Sequence, residues 1–363
     1  TIGCCIPTNG PCSAEGIVNM GSVLSIMGSV QSAVPIGGIV GAFTSSYKSN
    51  HDFFIKNCVN YGSVEFTVGQ RGSTNDVVYI GGVTGKFTPN TVSENIKITN
   101  CLNYGKVTYI GVLDEDAKRF IGGIAGYSPN TVIENCLNGG SKMTINGGTS
   151  TTNAGSIVGR GDSSTTNVIH CFWTSGSYFP CGGDGCTVDV NSSNVELSAE
   201  TMNKLNNYVT NKKNNNGEGL SKWKMLHLDG GKINSLTELI VTQNNFPVPV
   251  KDKSTFSFWC TDETCTKVPN TGIENATDLY ALWNALIVTF DAMGGNISGG
   301  AAMKVVPKAS SYGELPSATK TGYRFGGWFT DDDDGEGGTK PISSSTHIIT
   351  ESDHTLYAHW SPE

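Results

Sequence analysis

The chain is short of charge and has no long apolar run. Only 15% of its 363 residues are Asp, Glu, Lys or Arg, with 24 basic against 32 acidic residues and a net charge of −8. Nucleic acid and anionic membranes both call for clustered Lys and Arg, so neither is an expected partner. No apolar run approaches 18 residues, so no membrane insertion is expected in this segment. Histidine is sparse: the six lie scattered at 51, 170, 227, 347, 354 and 359. No Ser/His/Asp order, Walker loop or HExxH string is present. An enzyme is therefore not expected, nor is a cofactor. Thr1 opens the sequence with neither an initiator Met nor an apolar signal region. The expectation is a processed mature protein or an excerpt of a longer one.

What the chain does have is 46 glycines and long stretches of Ser, Thr and Asn, the residues of turns and β-structure. It also has internal self-similarity. IGGIVGAF from Ile36, IGGVTGKF from Ile80, IGGIAGYS from Ile121 and AGSIVGRG from Ala154 are copies of one glycine-rich strand. A second element follows: IKNCVNYGSV from Ile55, ITNCLNYGKV from Ile98 and IENCLNGGSK from Ile133. GIVNMGSV from Gly16 is an earlier copy and VIHCFWTSGS from Val168 an altered later one. One copy cannot bury its apolar face alone, so copies stack with like residues over like. A parallel β-helix of about five coils is expected over 1–195, each rising by roughly 4.8 Å.

Stacking assigns roles to the repeated residues. Asn57, Asn100 and Asn135 are expected to form an amide ladder from coil to coil. Cys58, Cys101, Cys136 and Cys171 form a second ladder, read as packed thiols rather than a redox or metal device. In a regular strand Cys58 faces away from Ile55, Asn57 and Val59, whereas a bend at the Asn would turn it inward; both remain open. Asn-Tyr-Gly at 60–62 and 103–105 marks a corner at which Gly is expected to take φ > 0. The positions equivalent to Lys56 in the other coils are Thr99, Glu134 and Ile169, so no charged site converges on one face.

The remaining cysteines are loop-like close pairs: Cys181 with Cys186, Cys260 with Cys265, and Cys12 with Cys4 or Cys5. They are disulfide candidates and point to an oxidising compartment. Zinc competes, but no second CxxC or His pair accompanies them. Asn191, Asn275 and Asn296 head glycosylation sequons. Asp331, Asp333 and Glu336 lie on a Gly-bearing acidic string that could hold Ca²⁺. The spacing lacks the alternation of an EF-hand, so a solvated hairpin tip is expected and no metal.

Between 196 and 250 the pattern changes. Met202, Leu205, Tyr208 and Val209 fall at helical spacing after Ser198, a plausible N-cap. A helical or irregular cap closing the last coil is expected, because an open solenoid end exposes strand edges. Beyond it come LIVTFDAMGG from Leu286, TGYRFGGWFTD at 321–331 and HTLYAHW at 354–360. Trp259-Cys-Thr-Asp262 and Asp278-Leu-Tyr-Ala-Leu-Trp283 echo the later part of that pattern. The expected architecture is mainly β, a solenoid with a small mixed α/β cap and tandem small β-modules. The modules are a truncated copy over 251–285, its front half missing or absorbed into the cap segment, and a complete copy over 286–363.

Two family resemblances rest on these strings. The IGG strand followed by I-x-N-C-x-N-x-G resembles GLUG-type repeats of bacterial and protist surface proteins and adhesins, over roughly 16–180. The segment 286–360 resembles the Listeria–Bacteroides repeat, a β-grasp-like module of internalin-type surface proteins, with Met293 where that family usually has Asn. Both resemblances imply an extracellular, secreted or cell-surface location. They imply a structural or adhesive role in a coat, fibre or appendage, with copies of itself or other surface proteins as partners. A glycan-binding or glycan-active β-helix, with surface glycans as partners, is the rival reading.

Overall fold

The computed structural model describes residues 2–5, 12–27, 33–44, 52–69, 77–89, 96–111, 118–140, 143–147, 152–162, 164–174, 178–182, 185–214, 219–233, 236, 238–242, 246–265, 270, 272–332 and 340–363. It is mainly β and forms two compact units, residues 1–225 with 239–247, and residues 226–238 with 248–363.

The first unit is a parallel β-helix. Following the chain from Val34, the strands Val34–Gly37, Val40–Thr44, Phe53–Lys56, Val59–Asn60 and Val64–Val68 complete one turn. Val77–Gly81 then lands on Val34–Gly37 in parallel register, with Ile80 beside Ile36 and Gly81 beside Gly37. The next coil repeats this, with Ile121 beside Ile80. Five stacked sheets result, all parallel. Alternation along each strand sends Phe53 and Ile55, or Val64, Phe66 and Val68, into the interior. The Ile, Val, Phe and Cys residues of successive coils merge there into continuous apolar columns.

A further layer closes the stack. Thr187–Val188 pairs with Asn167–Ile169, and Ser193–Asn194 pairs with Phe172–Trp173. These strands share no motif with the earlier copies. The layer leaves Phe179 85% and Val190 98% exposed.

Residues 196–225 depart from the expected cap. The helix Ala199–Asn214 starts where Ser198 Oγ accepts from the Thr201 amide at 3.3 Å, as an N-cap does. Met202, Leu205 and Val209 are buried. The helix and the segment after it run along the flank of the coils rather than closing the last one. The physical reason is a row of outward amides, described below, that needs partners.

The second unit contains the antiparallel hairpin Phe256–Cys260 and Asp278–Trp283. It also contains a four-stranded mixed sheet in the order Met303–Pro307, Ala285–Asp291, His354–Pro362, Tyr323–Phe329. The two central strands are parallel and the outer pairings antiparallel. Val288, Phe290, Trp328, Leu356 and Ala358 fill its core.

Candidate functional site

Two amide ladders run along the solenoid. In the outer one, Asn100 Nδ2 donates to Asn57 Oδ1 and Asn135 Nδ2 to Asn100 Oδ1, each at 2.8 Å. These three residues have φ of 54°, 55° and 50°, and His170 continues the row at 52°. Asn tolerates this left-handed conformation better than most residues. The resulting bend reverses the alternation of a regular strand. Cys58, Cys101, Cys136 and Cys171 therefore point into the core, all fully buried and unbridged. Each Sγ lies 3.3 or 3.4 Å from the carbonyl two residues before it. Burial and the flanking thiols of Cys101 and Cys171 push the Cys136 thiol above its ordinary value.

The inner ladder was not anticipated. Asn19 Nδ2 donates to Asn60 Oδ1 at 2.7 Å, Asn60 to Asn103 at 2.8 Å and Asn103 to Asn138 at 2.9 Å. Asn138 Nδ2 ends the row on the Ser156 carbonyl at 3.0 Å. This row explains the glycine-rich strand. A Cβ on Gly82 would overlap the Asn103 amide and the Gly123 carbonyl, and Gly38 and Gly123 meet Asn60 and Asn138 in the same way. The second Gly of each I-G-G string thus makes room for the second Asn of N-C-x-N. The corner reading needs a correction on the same grounds. Gly62 and Gly105 are not among the positive-φ residues. Gly105 is required instead because a Cβ would strike the Gly62 carbonyl of the coil below.

The flanking strap takes up the outer ladder. Asn57 Nδ2 donates to the Gly219 carbonyl at 3.0 Å, and Asn100 Nδ2 to that of Ser221 at 2.9 Å. His170 Nε2 lies 2.9 Å from the Lys204 carbonyl. Asn206 receives the Trp223 amide at 2.7 Å and donates to its carbonyl at 2.9 Å, which ties the strap to the helix. Glu134 fastens the centre. Its carboxylate, 3% exposed, accepts from Tyr208 Oη at 2.5 Å and lies 3.6 Å from Lys97 and 3.4 Å from Lys212. A charged group does converge here, contrary to the sequence reading. The signal was a Glu at a position held by Ile169 in the next coil. Tyr104, stacked on Tyr61 at 5.8 Å, accepts the Ile240 amide at 2.7 Å, and burial pushes its phenol above the ordinary value.

Cys181–Cys186 and Cys260–Cys265 are disulfides, with Cα atoms 6.1 and 5.2 Å apart. Cys4 and Cys5 lie on the strand Ile2–Cys5, and Cys12 begins Cys12–Glu15. Their side chains are outside the described residues, as are Asp333 and Glu336. Asp331 has its Oδ1 3.4 Å from His359 Nε2. Among the described residues no group of His, Cys, Asp and Glu is arranged to hold a metal ion. Asn191, Asn275 and Asn296 are all exposed.

The second unit reveals a repeat hidden in the sequence. Trp360 Nε1 donates to the Ala292 carbonyl at 3.0 Å, and a Cβ on Gly295 would overlap its ring. Trp283 Nε1 donates to the Leu228 carbonyl at 3.2 Å, and Gly231 stands in the place of Gly295. Asp229 and Gly230 have φ of 42° and 74°, matching 47° and 81° at Met293 and Gly294. Lys251 and Lys320 sit over Trp283 and Trp360 at 5.5 and 5.8 Å. The front half of the first module is therefore Leu228-Asp-Gly-Gly231, inside the segment assigned to the cap.

That module also holds a cavity of about 650 Å³ lined by Asp262, Glu263, Asn275, Thr277, Asp278 and Tyr280, among others. His227 stacks on Tyr280 at 4.5 Å and lies 3.0 Å from Asp278. Partial burial and the carboxylates of Asp278, Glu263 and Asp262 raise the Tyr280 phenol above its ordinary value.

Stacked parallel coils and a mixed-sheet unit define a β-solenoid repeat protein with appended small modules. The model of the Listeria–Bacteroides repeat domain matches residues 227–282 and 287–359, two adjacent copies, each of which contains the glycine pair at its Trp anchor. No curated protein and no solved structure matches the chain significantly. Among the described residues no helix is long and apolar enough to cross a membrane.

Proposed function

We propose that this chain is a non-catalytic extracellular protein, displayed or secreted, that serves as a structural or adhesive element of a surface coat, fibre or appendage. The observation that carries the reading is the pairing of a solenoid with two Listeria–Bacteroides repeat matches. Stacked coils make long surfaces, and tandem small modules suit display at a surface. Two disulfides fit an oxidising compartment. The resemblance of the I-G-G and N-C-x-N strings to GLUG-type repeats supports the same setting. The partners in this reading are copies of the chain or other surface proteins.

Immunogold labelling of intact, unpermeabilised cells of the source organism tests it, together with protease shaving of those cells. Label outside the cell and peptides released by shaving are expected. No label on intact cells, with label appearing only after permeabilisation and no peptides released by shaving, would overturn the proposal.

A further inference from the structure

We propose that the outer face of the solenoid binds a linear acidic polysaccharide with one carboxylate per disaccharide, along a column formed by Lys86, Tyr127 and Arg160. The column follows from register. Lys86 pairs with Tyr127 and Tyr127 with Arg160, on three successive coils. Phe87, next to Lys86 in the strand, is buried in the core, so strand alternation turns the column outward. Arg160 is exposed, and Lys86 and Tyr127 are half-buried. The neighbouring sheet adds two rings. Val78, Ile80 and Ile121 point into the core, which turns Tyr79 and Phe120 to the outside, where they pack beneath the column.

These rings set where the cations stand. Lys86 Nζ lies 5.2 Å from the centroid of Tyr79, and Arg160 Cζ lies 5.5 Å from that of Phe120. Tyr127 stands between them, its ring 5.5 Å from Tyr79 and 5.4 Å from Phe120. Contact with a ring face holds a cation in place but leaves its N–H groups free to donate. Neither cation has a hydrogen bond or an ion pair among the described residues. The carboxylate of Asp162 feels Arg160 only through space, and accepts instead from the amide and hydroxyl of Ser164.

Spacing selects the ligand. Lys86 and Arg160 stand two coils apart, about 9.6 Å along the axis at the usual strand spacing. One disaccharide of an extended polysaccharide has nearly that length. A carboxylate on every second sugar therefore meets each cation in turn, at Arg160 through two parallel N–H···O bonds. The sugar between them lies against the exposed part of Tyr127, an apolar surface with a polar tip. A ligand with a single carboxylate reaches one cation only and forgoes the second contact. The whole chain, at a net charge of −8, repels polyanions, so affinity for one has to come from a local arrangement of this kind. The site differs from the adhesive reading in kind. It needs no assembly of the chain, and its failure would leave that reading standing.

The test is calorimetric titration of the full 363-residue chain at low salt. The probes are a hyaluronan hexasaccharide, the disaccharide of the same polymer, an uncharged chitin hexasaccharide, and an acetylated tri-glutamate amide with as many carboxylates as the first probe. The hyaluronan hexasaccharide is expected to bind at least about tenfold more tightly than each of the others. Lys86→Gln and Arg160→Gln should each weaken that binding about fivefold or more, at an unchanged melting temperature. Lys106→Gln, exposed beside the separate sheet of Val107–Gly111, should leave it as it is. Equal binding of the chitin oligomer would overturn the proposal, because the cations would then play no part. Equal binding of the tri-glutamate or of the disaccharide would also overturn it, because sugar and spacing would not be read. So would no binding at millimolar probe, or an affinity indifferent to Lys86→Gln or to Arg160→Gln.

Discussion

The solenoid and the C-terminal unit solve the same problem in opposite ways. Each must order a Gly-rich chain of low apolar content. The solenoid spreads its cohesion over rows of small residues, with Asn over Asn, Cys over Cys and Gly against Asn in every coil. The C-terminal modules hang on a few large anchors. Trp328 is 2% exposed and donates to the Pro316 carbonyl at 2.7 Å. Trp283 and Trp360 each close over one glycine, Gly231 and Gly295. A repeated row tolerates variation in any single member, because each coil contacts only its neighbours. A module of some 70 residues has no such redundancy, and its large side chains carry most of the buried surface.

The comparison is sharpest where one anchor is removed. Trp328→Ala is expected to destabilise the second unit by about 3–5 kcal/mol. Hydrogen exchange should show the loss in 285–362 and leave the amides of the coils protected. Collapse of both units together would show that they do not unfold independently. Asn103→Leu strikes the solenoid instead. It removes the acceptor of Asn60 and the donor to Asn138, two buried groups left unpaired at about 1–3 kcal/mol each. A loss of roughly 2–4 kcal/mol is expected in denaturant titration, with exchange rising in the adjacent coils first.

Gly82→Ala tests why the glycines recur. The new Cβ must displace the Asn103 amide or the Gly123 carbonyl, at a cost of about 1–3 kcal/mol. A melting temperature equal to that of the parent would mean that the second Gly is not there to seat the ladder. The smallest effect is expected at Tyr208→Phe, which removes the hydrogen bond to Glu134 while Lys97 and Lys212 still face the carboxylate, a loss of about 1 kcal/mol. The helix 199–214 should exchange faster while the coils keep their protection. Faster exchange of the coils as well would make the strap part of the solenoid's own cooperative unit.

Much of the fold was legible because repetition is a strong signal. The periods at Ile36, Ile80 and Ile121 set which residues stack, and the structure keeps that register. The helix was legible from Ser198 and the spacing of Met202, Leu205 and Val209. The candidate site was less so. Asp229-Gly-Gly231 is too short to announce a module, and its role appears only when Trp283 folds over it. Asp262, Glu263 and Asp278 form no motif, because Asp278 lies more than a dozen residues further along the chain than the two residues it joins.

By itself the sequence determined that copies stack and that Asn, Cys and Gly form rows, since these follow from period and residue type; the further layer of Thr187–Val188 and Ser193–Asn194, which carries no motif, came only with the structure. Only the tertiary structure decided which way each row faces. The left-handed turn at Asn57 sends Cys58 inward, and strand alternation alone could not choose between the two faces. Only the tertiary structure showed that the helix runs along the flank. The partners of the helix, Glu134 and Asn135, and those of the segment after it, Asn57 and Asn100, lie between about 70 and 165 residues away in the chain. Local patterning carries no record of such distance, because a lateral contact is selected by the side-chain amides it meets and not by its neighbours in sequence.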